Sequence, residues 1–273
     1  MINFTLVKHL KTKRIVAIAT LICGLASGCI AGIAFAGRTP GSFVINLKQQ
    51  NIKLVLDDNR NFDNPSTYLK IADSPKFDVT NNERVSAYDD RLDDEITNHV
   101  NLGSVEDALT GDTKVQFFKY TFYVKNSGTT AADFTMTVNI TDNVKPTNTV
   151  YGYDDFLRVR VYSNDGKLHD AHEYKTYAKR AMPNNSLPPE ANGREPISHK
   201  PGSPEFVGYA DMFASEKTIC VERVEGFLAD DVQRFTIVCW LEGNDPECTG
   251  AAPHGGSLKL GIKIDGQKKY VSN

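Results

Sequence analysis

The chain has few of the features that mark most enzymes and nucleic-acid-binding proteins. Its five cysteines contain no C-x-x-C pair and no Cys/His spacing of a structural zinc site. It has no G-x-S-x-G elbow, no P-loop and no dinucleotide-binding glycine pattern, so the common nucleophilic and phosphate-cradling chemistries have no anchor in it. Basic residues do not outnumber acidic ones: 31 Lys and Arg stand against 34 Asp and Glu, a net charge of −3. That balance argues against nucleic acid as a partner, because a phosphate backbone demands a basic face. Helical periodicity is nearly absent, and no repeat recurs at solenoid or propeller periods.

One long apolar run is present. Ile15–Ala36, IVAIATLICGLASGCIAGIAFA, carries no charge and no proline. A bilayer-spanning helix needs ~20 apolar residues, and Lys8, Lys11, Lys13 and Arg14 just before the run are the kind of flank that stays cytoplasmic. The sequence therefore predicts a basic n-region at 1–14, an apolar helix at 15–36 that meets the membrane, a GRTPG linker at 37–41 and an extracytoplasmic domain at 42–273. Ala34-Phe35-Ala36 before Gly37 also fits a small-x-small cleavage site. Two outcomes stay open: a signal peptide cut after Ala36 with secretion of the domain, or a retained anchor.

Downstream, apolar residues alternate with polar ones in strand fashion. Ser42–Leu47 and Asn51–Leu56 begin the series. Val115–Lys125 is the strongest strand, with Phe118, Tyr120, Phe122 and Val124 on one side, and its aromatic content suits the middle of a sheet. Asn126-Ser127-Gly128 then leads to Phe134, Met136, Val138 and Ile140, which predicts a β-hairpin over 115–141. Leu157–Val161, ending at Asn164-Asp165-Gly166, predicts a second hairpin returning through Tyr174 and Tyr177. Arg234–Glu242 reads as a strand covered on both faces, and Leu258, Leu260, Ile262 and Ile264 form the last one. Residues 61–112 read as loops and short helices. Residues 183–204, which include Pro183, Pro188, Pro189, Pro196, Pro201 and Pro204, read as an exposed loop, since each proline removes a backbone donor. The fold class that follows is all-β, one antiparallel sandwich of jelly-roll or Ig-like type.

Outside the leader stand Cys220, Cys239 and Cys248, an odd number for an oxidising compartment. One disulfide among them, Cys239–Cys248 or Cys220–Cys248, would leave one thiol. His169, Asp170, His172 and Glu173 cluster, but not as H-E-x-x-H, and residues three apart on a strand face opposite ways. Asp57–Phe62 spaces oxygen ligands like a calcium loop, yet Phe62 replaces the required Gly and Tyr68 the closing Glu. Asp89, Asp90, Asp93, Asp94 and Glu95 form a denser acidic stretch, and Glu242, Asp245 and Glu247 another, where Asn244-Asp245-Pro246 sets a turn. No metal, cofactor or catalytic residue is assigned from these patterns.

Two segments together carry a family resemblance. Phe118–Phe134, FKYTFYVKNSGTTAADF, and Arg234–Cys248, RFTIVCWLEGNDPEC, resemble the exported Firmicutes proteins related to TasA and camelysin, whose leader is cut by a dedicated signal peptidase. The matching positions are Asn126, Gly128, Trp240, Leu241, Glu242, Gly243, Asp245, Pro246 and Cys248, with Gly255 and Gly256 before the last strand. The resemblance implies a jelly-roll-like sandwich, a cleaved leader and, in the best-known members, assembly into matrix fibres of a biofilm. The 61–112 insertion and the proline-rich loop depart from that pattern, and no motif supports a camelysin-like protease. The expectation is a non-enzymatic cell-surface or secreted protein, structural or adhesive, whose partners are the membrane through residues 15–36 and further copies in an oligomer or fibre. The alternatives are a glycan- or peptide-binding module using Tyr151, Tyr153 and Tyr174, and a hydrolase with a site assembled from distant residues, for which His169 and His172 are the only candidates.

Overall fold

The computed structural model describes residues 32–35, 42–47, 53–70, 87, 117–164, 174–179, 194–200, 203, 205–248 and 255–268. Among these the chain is all-β, with no helix. The strands are β1 (Gly32–Phe35), β2 (Ser42–Leu47), β3 (Leu54–Asp57), β4 (Tyr68–Lys70), β5 (Phe118–Asn126), β6 (Ala132–Val144), β7 (Leu157–Asn164), β8 (Tyr174–Ala178), β9 (Glu195–His199), β10 (Phe206–Met212), β11 (Thr218–Phe227), β12 (Val232–Leu241) and β13 (Ser257–Lys268). They form two sheets, one ordered β11-β6-β13-β2-β4 with β1 also on β13, the other β3-β5-β12-β7-β8-β10-β9. Most pairs are antiparallel, but β13–β2 and β10–β8 are parallel, so the expectation of a wholly antiparallel fold is corrected.

The period-two reading holds where strands bury one face. Tyr120, Phe122 and Val124 of β5 and Phe235, Ile237 and Cys239 of β12 share one core with Phe134, Met136 and Val138 of β6 and the four aliphatic residues of β13. Phe122 stacks on Phe235 at 5.5 Å, and Phe134 of the other sheet meets Phe235 edge-on at 6.2 Å and 79°. Burying each such ring contributes about 1.5–3 kcal/mol. As predicted, β5 has a neighbour on each side, and β7 pairs antiparallel with β8. The turn between these last two runs outside the described residues after Asn164.

The predicted hairpin over 115–141 does not form: β5 belongs to one sheet and β6 to the other. The reason lies in Asn126, whose Oδ1 accepts the Gly128 amide at 3.0 Å while its Nδ2 donates to the Thr130 and Phe227 carbonyls, each at 3.0 Å. The Asn126 carbonyl also accepts the Asp230 amide at 2.8 Å. The β5–β6 and β11–β12 connections therefore cross between sheets side by side, stitched together by one side chain.

Three further expectations are corrected. Within the predicted apolar helix, Gly32–Phe35 is strand β1, antiparallel to Leu258–Gly261; Ile33 and Phe35 are good strand formers, and β2 leaves that stretch of β13 open. Residues 15–31 lie outside the described residues, and no described helix is long and apolar enough to cross a membrane. The proline-rich segment contains β9, whose Ile197 and Ser198 are buried; its Pro196 is tolerated because β9 is the terminal strand of its sheet. The 61–112 segment supplies β4, while the helix predicted from Ser104 lies outside the described residues.

Candidate functional site

Among the described residues a dense set of buried polar contacts gathers at the turn after β12, where the sequence reads Trp240 to Cys248. Glu242 is fully buried and accepts four hydrogen bonds. Oε2 takes Trp240 Nε1 at 3.0 Å and the Ala87 amide at 2.9 Å; Oε1 takes Ser198 Oγ at 2.9 Å and the Asn244 amide at 3.1 Å. Beside it Arg158 bonds Asp245 Oδ2 at 2.6 Å through Nη2 and the Ile197 carbonyl at 2.8 Å through Nε. The other Asp245 oxygen caps the Glu247 amide at 2.8 Å. The second sheet thus curls until its terminal strand β9 lies against β7 and the β12 turn, and the excursion reaches in at Ala87.

This cluster is closed chemically as well as sterically. A carboxylate with four donors, and a guanidinium that donates to Asp245 and to the Ile197, Pro196 and Leu157 carbonyls, are occupied within the fold, and this satisfaction is what makes their burial tolerable. Arg160, also buried, bonds Thr176 Oγ1 at 3.0 Å and lies between the rings of Tyr174 and Trp240, 4.4 and 5.3 Å from their centroids. His199 sits at the rim, where burial outweighs the Asp245 carboxylate and lowers its pKa. Glu242, Gly243, Asp245 and Pro246 are brought together as the turn that the sequence predicts. Asn126 and Gly128 lie instead at the sheet crossing.

The remaining candidates separate. Asp57 accepts the Asn59 amide at 2.9 Å and the Asn64 amide at 2.8 Å, and Phe62 takes φ of 54°, so the calcium-like loop is a self-capped turn. No group of three or more metal-ligating side chains occurs among the described residues. His169, Asp170, His172, Glu173 and the Asp89–Glu95 stretch lie outside them. Of the tyrosines read as a glycan- or peptide-binding surface, Tyr153 is buried in the main core, Tyr151 packs against that core, and only Tyr174 is exposed.

No disulfide joins Cys220, Cys239 and Cys248. All three are buried thiols, Cys220 on β11 and Cys239 on β12 facing the core from opposite sheets, and burial raises the pKa of both. Gly256 has no room for a side chain, since a Cβ there would lie 2.3 Å from the Val144 carbonyl oxygen. Ala34 lies in β1 opposite Lys259, while Ala36 and Gly37 are outside the described residues.

Sequence reasoning missed Arg158, Ser198 and Ala87. Arg158 and Arg160 at alternate positions of an apolar strand were the available signal, because two cations facing a covered side require partners. Comparison with known proteins gives no match: no family model, curated protein or solved structure aligns with the chain.

Proposed function

We propose that this is an exported cell-envelope or matrix protein, a jelly-roll or Ig-like sandwich with a structural and adhesive rather than enzymatic role, whose copies join by strand addition. The observation that carries this reading is β1. Gly32–Phe35 occupies the edge of β13 at Leu258–Gly261 and lies upstream of the Ala36–Gly37 junction. Cutting there removes β1 and vacates a strand position next to β2. A row of unpaired amides and carbonyls is a template for a neighbouring chain. Retention of β1 in the sheet also shortens any membrane anchor to Ile15–Ala31, at the low end of the ~17–25 residues that span a bilayer, which favours the cleaved form. The resemblance to TasA- and camelysin-related proteins points the same way.

Electron microscopy of the chain beginning at Gly37, set beside the uncut chain, tests this. Fibres or regular oligomers from the cut form alone are expected; a monomer under every condition contradicts the proposal. The alternative of a surface-binding module keeps one support, Tyr174, which is 47% exposed and backed by Arg160.

A further inference from the structure

The segment between β6 and β7 carries two adjacent carboxylates that share one amine. Asp154 and Asp155 are both buried, and in the sequence they stand between Tyr153 and Phe156 of the main core. Lys179, the residue after β8, is partly exposed and reaches them from the rim. Its Nζ stands 2.5 Å from Asp154 Oδ2 and 2.5 Å from Asp155 Oδ1, closer than the ~2.7–2.9 Å of an ordinary ammonium–carboxylate bond. The remaining oxygens are held from the other side: Asp154 Oδ1 accepts Asn143 Nδ2 at 2.5 Å, and Asp155 Oδ2 accepts the Gly152 amide at 2.6 Å. No side chain fits at Gly152, where a Cβ would lie 2.3 Å from Asp154 Oδ1. Among the described residues Lys179 is the one cation bonded to either carboxylate. Three charges therefore meet in a largely buried site with one carboxylate uncompensated, a costly arrangement.

Condensing the ammonium with one carboxylate removes two of the three charges. We infer that Lys179 and Asp155 join in an intramolecular amide, with Asp154 as the proton carrier. The two carboxylates hold Nζ protonated against the pull of burial, so a proton has to leave before attack. Asp154 Oδ2, in contact with Nζ, takes it. The freed lone pair attacks Asp155 Cγ, and the negative charge that builds on Asp155 Oδ2 is met by the Gly152 amide, as in an oxyanion hole. Asp154 delivers that proton to Asp155 Oδ1, a second amine proton follows the same route, and the Cγ–Oδ1 bond breaks to release water. One ammonium and one carboxylate become one amide and one water, with no oxidant or partner required. Asp155 is the acceptor because a fixed backbone amide holds the oxygen that the product keeps. Free amines and carboxylates do not condense in water, but groups fixed in contact react with effective molarities of ~10⁵–10⁸ M. The bond ties the residues flanking the β7–β8 pair at the end where Arg158 lies opposite Ala178. It involves neither β1 nor strand exchange, so it stands whether or not the chain assembles.

Intact-mass spectrometry of the purified full chain tests this, together with tandem spectrometry of its proteolytic peptides. The parent should be lighter than its sequence by one water, and a peptide pair joined through Asp155 and Lys179 should survive digestion. Lys179→Arg and Asp155→Ala should each show full mass. Asp154→Ala, which keeps both joining groups, should link at least about a hundredfold more slowly when followed from synthesis. The parent's own mass and peptide map decide the question even where a variant fails to fold. Full mass in the parent overturns the inference, as does a link mapped to another pair or parental linking in Asp154→Ala. Loss of water that persists in Lys179→Arg also overturns it, because a cyclic imide at the aspartates would then be the source.

Discussion

The two faces of the second sheet are buried by opposite means. Toward the first sheet, β5, β12 and β7 present Phe122, Phe235, Ile237 and Val161 to an apolar core. On the other side the same strands present Lys119, Thr121, Arg234, Thr236, Arg158 and Arg160, all buried. A smaller apolar group of Phe117, Tyr162, Val238 and Trp240 is joined there by Ala87 from the excursion and Ile197 from β9. Hydrophobic burial is non-directional and tolerates imprecise neighbours, whereas a buried charge must be matched atom by atom. One sheet thus carries a face specified by pattern and a face specified by geometry.

Truncation and shape-conserving change should separate these two modes. The largest expected effect is in the inner core, where Phe122→Ala should cost about 3–5 kcal/mol through lost transfer energy and a residual cavity. Urea unfolding measures it, and Phe122→Leu should recover much of the loss. On the outer face volume matters less than pairing. Arg158→Met, similar in bulk, should cost a comparable ~3–5 kcal/mol because Asp245 is left buried and unpaired. Adding Asp245→Asn to that variant should restore part of the loss, which would assign the cost to the stranded charge. Next in size is Glu242→Gln, which preserves shape but replaces one of the two accepting oxygens with an NH2 group that faces two donors, at about 1–3 kcal/mol.

Acidification should act on the outer face through His199. Burial holds the His199 pKa below its ordinary value of ~6.5. The unfolded chain therefore binds the proton first, so the stability His199 supplies is complete above its unfolded pKa and is lost as pH falls through its folded pKa. The urea midpoint should fall between about pH 7 and mildly acidic pH, and His199→Gln should flatten that part of the profile. Arg158, Asp245 and Glu242 act on the same imidazole, so the Arg158 variants should shift the profile too. The smallest effect belongs to Lys200→Ala, which breaks an exposed pair with Glu205 at 2.8 Å and should cost less than about 1 kcal/mol.

How much was legible in the sequence follows the same division. The alternations in Phe118–Val124, Phe134–Ile140, Phe235–Leu241 and Leu258–Ile264 identify the strands of the inner core and the side each turns to it, because period two is a local property. Sheet membership was not legible. Asn126-Ser127-Gly128 reads as a hairpin turn, yet Asn126 binds the carbonyl of Phe227, a partner about a hundred positions away that no local rule reports. The turn at Asn244-Asp245-Pro246 was visible, but its ties to Ser198 and Ala87 were not, since Ser198 lies in a segment whose prolines mask a strand. β1 escaped notice for a different reason: apolar Gly32–Phe35 satisfies a membrane-helix reading and a strand reading equally well, and only the open edge of β13 decides between them.

Amide hydrogen exchange at Leu258–Gly261, compared between the uncut chain and the chain beginning at Gly37, bears most directly on strand exchange at β13. The amides of this stretch that face β1 should be protected in the uncut chain, exchange quickly in the cut monomer, and regain protection on assembly. Equal protection in the uncut chain and the cut monomer, or assembly that leaves these amides open, would contradict it.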